Sequence, residues 1–345
     1  MKALIIGLGG VGQRHARNLR SILGDELELL AYRVRGLTRT ISPTLEADAT
    51  RNVERDLGIR VFSDLGAALA ERPGVAFICN PSSLHVPTAM ACLEGGCDLF
   101  IEKPLSDRIE GVDALIAAAD KARRIGMVAY QLRFHPCLRT LAAVIDSGTL
   151  GELLAVRASI GEYLPGFHPY EDYRDGYAAK VALGGGVILT QIHEFDYLYS
   201  LFGPIQSVYA LGGHWSHLEI DVEDVASALM EATVGGRPLP IHLQQDYLQA
   251  PAFRQCEVVG DRGKAVLDFR ALSVSVVTRG APPIVHSFAD FDRNRMFIDE
   301  VRHFLDCVET RTSPLVDLRD GAQSLRTALA VKQSIASRAV VGVSQ

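Results

Sequence analysis

Nowhere in this sequence do apolar residues run unbroken for the roughly 18 positions that a membrane-spanning helix requires. Positive charge is not in surplus either: the formal net charge is −6, so no basic field draws the chain to nucleic acid or an anionic bilayer. Cysteine is sparse, with Cys79, Cys92, Cys97, Cys137, Cys256 and Cys307 forming no Cys-x-x-Cys pair and no zinc spacing. They read as small hydrophobes kept reduced in a cytoplasmic protein. The ten histidines are scattered, the pair His214 and His217 of "HWSH" reads as loop polarity, and no metal site is expected. Repeats and low-complexity tracts are missing. The opening "MKALIIGLGG" has too short an apolar run for a secretory leader and reads as a first strand.

What the chain does carry is 48% hydrophobic and 22% charged residues over 345 positions, which suits a globular enzyme of two domains. Residues 1–131 alternate short apolar runs ("KALIIG", "ELELLAYR", "RVF", "VAFICN", "DLFIEK", "MVAYQ") with helix-like stretches such as "VGQRHARNLRSIL", "PTLEADATRNVERDL" and "VPTAMACLEGG". That alternation predicts a parallel sheet covered on both faces, with ligands along the edge where the strands end. From about residue 132 to 318 the texture changes. A helix near 135–147 leads into β-rich runs joined by short turns, as in a mostly antiparallel sheet. Helices at about 294–310 and 319–337 close the chain. The expected fold class is therefore α/β plus α+β. An N-terminal Rossmann domain is followed by a C-terminal α/β domain on a large, mostly antiparallel open sheet.

"ALIIGLGGVGQRHARNL" sets Gly7, Gly9 and Gly12 in G-x-G-x-x-G spacing, between a strand and a helix, with Gly10 and Val11 inside the turn. The first glycine allows a tight turn, the second lets backbone approach a pyrophosphate, and the third lets helix pack on strand. The helix N-terminus offers unpaired N–H groups and partial positive charge to the anion. An acidic residue about 20 positions on, at the end of the second strand, would bond the ribose hydroxyls of NAD. Here "LLAYRVRGLTRT" carries Arg33, Arg35 and Arg39 instead. Guanidinium groups suit a 2′-phosphate, which favours NADP(H) and leaves NAD(H) open.

Three more motifs line up with this loop: "ICNPSSLHVPTAM", "LFIEKPLS" and "GGGVILTQIHEFDY". Together they resemble the Gfo/Idh/MocA oxidoreductases (glucose–fructose oxidoreductase, inositol dehydrogenase and relatives) over essentially the whole chain. The resemblance implies that Lys103 of "EKP" contacts the substrate oxygen near the nicotinamide and that His193 transfers a proton. It further implies that Asn80, Pro81 and His85 lie beside the cofactor and that Glu102 reaches its ribose. Arg133 and His135 of "QLRFHP" would turn toward the substrate cleft, and the helix at about 319–337 would return to pack near the nucleotide domain. It also implies a homodimer or homotetramer joined through the C-terminal sheet.

The chemistry is consistent with those roles. Interconverting a secondary alcohol and a carbonyl needs a hydride partner and a proton carrier at the oxygen, and lysine or histidine can carry that proton. One position departs from the family pattern. Many relatives place an aspartate one turn before the histidine, where this chain has Thr190 and Gln191. Threonine can hydrogen-bond but brings no charge to the ring. Glu194 points about 100° away around a helix and does not replace it. The preceding stretch, "YLPGFHPYEDYRDGYAAKVALGGG", interleaves aromatics with polar side chains. Tyr173 and Arg174 there are candidate contacts for hydroxyls or for an anion on a nucleotide-sugar, or parts of a loop packed on itself. The three glycines are expected to let backbone pass close to the substrate.

The reading is an NAD(P)-dependent oxidoreductase acting on a secondary alcohol or carbonyl of a sugar, nucleotide-sugar or cyclitol. Two other readings stay open on the same fold. One is a reductase of other carbonyls or imines, or a nicotinamide-assisted glycosidase; the other is a non-catalytic dinucleotide sensor.

Overall fold

A computed structural model describes residues 1–36, 38–42 and 44–344. The chain opens with β1 (Lys2–Ile6), α1 (Gly10–Leu23) and β2 (Glu28–Tyr32), then β3 (Arg39–Ile41) and β4 (Ala47–Asn52). Next come α2 (Val53–Leu57), β5 (Ile59–Phe62), α3 (Leu65–Ala70), β6 (Val75–Ile78) and α4 (His85–Glu94). β7 (Asp98–Glu102), α5 (Val112–Ala122) and β8 (Gly126–Ala129) complete this alternation. The second half runs through α6 (Pro136–Asp146), β9 (Leu153–Gly161), α7 (Val187–Thr190), α8 (His193–Phe202), β10 (Ile205–Gly213) and β11 (Val225–Val234). It continues with β12 (Arg237–Asp246), β13 (Phe253–Gly260), β14 (Gly263–Asp268), β15 (Ser273–Thr278) and β16 (Ile284–Ser287). The chain ends with α9 (Arg293–Thr310), α10 (Leu318–Ser337) and β17 (Val341–Gly342).

Two compact units result. Met1–Tyr130, His168–Glu171 and Arg293–Ala322 form the first; Gln131–Phe167, Asp172–Asp292 and the chain from Gln323 onward form the second. The sheet of the first unit has the order β5-β2-β1-β6-β7-β8, and every pairing in it is parallel. The order reverses between β1 and β6, which opens a crevice beyond their C-terminal ends. β6 and β7 are buried at every position, as strands covered on both faces must be.

One feature of this unit differs from expectation. The stretch 43–57 reads as one helix in sequence, yet it forms β4 and only the short α2, and its first residue, Pro43, lies outside the described residues. Long-range bonds decide the outcome. Gln13 of α1 donates to the Arg39 carbonyl at 3.0 Å and accepts from the Ile41 N–H at 2.7 Å. Arg17 donates to the Ile41 carbonyl at 2.8 Å. These bonds strap β3 along α1, and β4 pairs with it. Asn52 then caps α2, accepting from the N–H groups of Glu54 and Arg55. The returning segment, expected at 319–337, begins earlier in the chain: α9 belongs to this unit, its Phe304 meeting Phe77 and Phe100 edge-on at 5.6 and 5.4 Å. The start of α10 joins it, with Leu318 against Gly126 and Gly321 against Val128, while the rest of α10 belongs to the second unit.

In the second unit nine strands run in the order β16-β15-β14-β13-β9-β12-β11-β10-β17. The β9–β12 pairing is parallel; the other described pairings are antiparallel. Along β11, Ala226, Ala228, Met230 and Ala232 are buried while Leu229 between them is 56% exposed, so one face is core and the other open. Leu229 stands opposite Tyr209 on β10 and His242 on β12. α10 packs within this unit: the Ala210 N–H donates to Ser334 Oγ at 2.9 Å, and Lys332 pairs with Glu223 at 3.1 Å.

Candidate functional site

At the end of β1 the chain enters Gly7 with φ +93°, and a Cβ there would lie 2.8 Å from the Cys79 carbonyl oxygen. Only glycine fits that approach of two strand ends. Gly9 caps α1 without a side-chain bond, and no acidic residue stands in the first turn, which runs through Gly10, Val11 and Gly12. A Cβ on Gly9 would meet nothing within 4 Å. An open cradle at the positive end of a 14-residue helix is what a pyrophosphate requires, so this chain's residues fit a dinucleotide. Tyr170 stands beside it, its hydroxyl 2.8 Å from where a Cβ of Gly10 would be and its ring under Arg39 at 5.4 Å.

Lys103 directly follows β7 and is half-buried. Its neighbour Glu102 turns inward, where His15 Nε2 lies 2.7 Å from Glu102 Oε1. His15 is fully buried against Phe100 at 4.9 Å and Phe77 at 5.7 Å. The carboxylate expected at the cofactor ribose thus fastens the strand end to α1. His85, expected beside the cofactor, is also a fastener. Its Nδ1 lies 2.7 Å from the Pro104 carbonyl and its Nε2 2.8 Å from the Asn80 carbonyl. Burial pushes its pKa down, against the upward pull of those two carbonyls and Glu102. Asn80 donates to Thr88 at 2.9 Å and leaves its own buried Oδ1 without a partner among the described residues. Pro81 opens the short turn into α4. Cys79, between these loops, has its pKa raised well above the usual thiol value by burial and then by Glu102.

The basic stretch after β2 is not uniformly available. Arg33 pairs with Glu54 of α2 and is only 11% exposed at its side chain, and burial lowers its pKa. Arg35 is exposed. Arg39 lies over the Tyr170 ring.

In the second unit the segment around His193 is two helices, not one. α7 ends at Thr190, Gln191 breaks the run with φ −96° and ψ 35°, and His193 opens α8. Gln191 is held on both sides, donating to the Asp246 carbonyl at 2.9 Å while its own carbonyl accepts from Gln245 at 3.0 Å. His193 is 6% exposed, and its Nε2 lies 3.3 Å from Nε2 of Gln131. Thr190 is equally buried, and the hydroxyl of Tyr247 donates to the Ala178 carbonyl at 3.3 Å. Arg133 does not point freely into a cleft: it grips Asp196 of α8 with bonds of 2.7 and 3.0 Å, and Asp196 is fully buried. Glu194, also fully buried, is gripped in the same way by Arg254 at 2.7 and 2.9 Å. His135 caps α6, accepting from the Cys137 N–H at 3.2 Å, and packs edge-on against Phe291 and Phe269. Gln131, Asp196 and Arg254 were not singled out by the sequence. For Asp196 a signal existed, its place one turn after His193 in "HEFD".

The loop before α7 is likewise bound within the protein, in part by the segment between β10 and β11. Arg174 pairs with Asp172 and, at 2.8 Å, with Glu219; Tyr173 accepts from the Glu219 N–H at 3.3 Å. The guanidinium expected to meet an anionic substrate already holds two carboxylates. Gly186 has φ +103°, and a Cβ there would strike the Glu223 carboxylate, while a Cβ on Gly185 would strike the backbone carbonyl oxygens of Tyr177 and Ala178. These two positions require glycine for the protein's own close approaches. Among the described residues no group of three or more His, Cys, Asp or Glu is placed to hold a metal. No described helix is long and apolar enough to cross a membrane.

Comparison with known proteins places these features. Residues 1–130 match the model of an oxidoreductase family with an NAD-binding Rossmann fold, and residues 138–266 match the GFO/IDH/MocA C-terminal domain. The chain is 26% identical to a myo-inositol 2-dehydrogenase of Thermotoga maritima, covering 100% of this chain and 99% of that one. It is 24% identical to a scyllo-inositol 2-dehydrogenase (NAD(+)) of Bacillus subtilis, with 97% and 94% covered. The fold matches a levoglucosan dehydrogenase in complex with NADH and levoglucosan, with a TM-score of 0.83 at 18% identity and both chains fully covered.

Proposed function

The chain belongs to the Gfo/Idh/MocA oxidoreductase family, and we propose that it interconverts a secondary alcohol and a carbonyl on an uncharged polyol, a cyclitol or sugar, with NAD(H). The family is that of enzymes acting on CH–OH groups with a nicotinamide cofactor. The finer choice of an uncharged polyol rests on one observation. Around His193 the ionised groups are already matched, Arg133 with Asp196 and Arg254 with Glu194. Gln131 and Thr190 supply neutral amide and hydroxyl groups. Neutral donors and acceptors suit hydroxyls better than a carboxylate or phosphate, and the inositol dehydrogenases among the relatives point the same way.

When bound, the nicotinamide exchanges hydride with the carbon that carries the hydroxyl. The cradle at Gly7, Gly9, Gly10 and Gly12 would hold the pyrophosphate, with Asn80 and Lys103 on neighbouring strand ends. Lys103 steadies the reacting oxygen, and His193 takes or returns its proton. NAD(H) is proposed over NADP(H) because Glu54 already occupies Arg33, which removes one of the guanidiniums that favoured a 2′-phosphate, and because a relative is named for NAD(+). We also propose a cytoplasmic homo-oligomer seated on the open face of the nine-stranded sheet, where Tyr209 and Leu229 stand exposed side by side.

The deciding experiment incubates the protein with NAD+ and a panel of inositols and sugars. Reduced-nicotinamide absorbance should rise in step with ketone product. Product formed without net nicotinamide reduction, or turnover only with anionic substrates, would overturn the reading.

A further inference from the structure

We propose that Gln131 is the positioning residue of His193, doing with an uncharged amide what a carboxylate at position 190 would otherwise do. The inference rests on the reading of His193 as proton carrier. The two residues are 62 positions apart in sequence, yet their Nε2 atoms lie 3.3 Å apart in a buried setting. A carboxamide facing an imidazole nitrogen acts in one of two ways. Its N–H donates to a ring lone pair, or, turned over, its oxygen accepts the ring N–H. Either way one ring nitrogen is committed and the tautomer and tilt of the ring are set. The other end of the amide, Oε1, is buried without a partner among the described residues.

Nearby polar and charged groups are engaged elsewhere. Gln191 is tied to Gln245 and to the Asp246 backbone. The charged residues next along these elements, Glu194 and Asp196 on α8 and Arg133 near Gln131 in sequence, are bound in the pairs Glu194–Arg254 and Asp196–Arg133. Those pairs also anchor the first turn of α8, so the ring rises from a rigid base. A neutral partner has a consequence that a carboxylate would not: it orients the ring without favouring its protonated form.

Three variants test this, each checked for folding by thermal melting. Gln131→Leu should lower kcat roughly tenfold with KM for the polyol changed less. Gln131→Glu should retain more activity than Gln131→Leu and shift the acid limb of the kcat–pH profile for alcohol oxidation upward by about one unit or more, because a carboxylate favours the imidazolium. His193→Ala tests the underlying reading and should lose most turnover. If His193→Ala is inactive while Gln131→Leu keeps parental kcat, or Gln131→Glu keeps the parental pH profile, the positioning role is wrong and the proton-carrier reading stands. If His193→Ala turns over normally, the reading itself falls.

Discussion

His15 Nε2 and Glu102 Oε1 meet at 2.7 Å beneath the nucleotide cradle, joining the first turns of α1 to the last residue of β7. The bond makes one rigid piece of the helix that would hold a pyrophosphate and the strand that carries Lys103. Registration between cofactor and lysine is therefore built into the first unit, before anything binds. His15→Ala should remove about 3 kcal/mol of unfolding free energy, because it leaves a buried carboxylate without its partner and opens a gap among Phe77, Phe100 and Phe297. Urea unfolding measures this, and an unchanged midpoint would count against the arrangement.

Lys103→Ala should cut kcat by a factor on the order of 10² or more, since general acid–base groups contribute at that scale. Dinucleotide binding, followed by quenching of protein fluorescence, should stay near parental. Near-normal turnover would remove Lys103 from the reacting oxygen.

Cofactor choice should respond to a residue that touches neither cofactor ring. Glu54→Gln withdraws the charge that holds Arg33 and should raise NADP(H) efficiency relative to NAD(H) by roughly tenfold. The ratio of the two kcat/KM values reads it out. Parental selectivity in this variant would show that Arg33 does not face the ribose.

The thiols give a pH prediction. Burial pushes Cys256 up to about 12 and Cys137 up to about 11, from an ordinary value of 9.0. A raised thiol pKa means the native state keeps its proton where the unfolded chain loses it. The stability these groups contribute is whole below pH 9 and is lost as pH rises from there toward their native values. Native protein at pH 8 should therefore leave both cysteines unalkylated by iodoacetamide, with labelling appearing on unfolding, as peptide mass analysis would detect. Labelling of native Cys256 at the rate of an exposed thiol would contradict its burial.

Much of this was readable in the residues, and the unread part has a common cause. "ALIIGLGGVGQRHARNL" announced a strand, a tight turn and a helix because steric and dipolar demands there are local. The alternation in "VASALMEATV" likewise announced a half-buried strand. Arg133, Arg174 and Arg33 were read as ligand contacts, yet each is committed to a carboxylate of the protein. For Arg133 that partner is 63 residues away. A guanidinium aimed at a substrate and one aimed at a distant aspartate look identical in one dimension. The same holds for His85, whose two carbonyl partners are backbone and leave no trace in side-chain identity. The hairpin of β3 and β4 was missed because Gln13 and Arg17 select it from another element.

The parallel pairing of β9 with β12 has a consequence for how the enzyme comes into being. Parallel neighbours cannot be joined by a tight turn; here residues 162–236 intervene, and they include α7, α8, β10 and β11. Closing that loop costs entropy before the sheet repays it, so the join at β9 belongs late in folding. β9 is also the sole bridge between the strands on its β12 side and those on its β13 side. A chain stalled before this step would expose two incomplete sheets with open edges, which are templates for aggregation. The length of chain spent on carrying His193 is thus also the segment whose capture decides whether a newly made molecule survives to work.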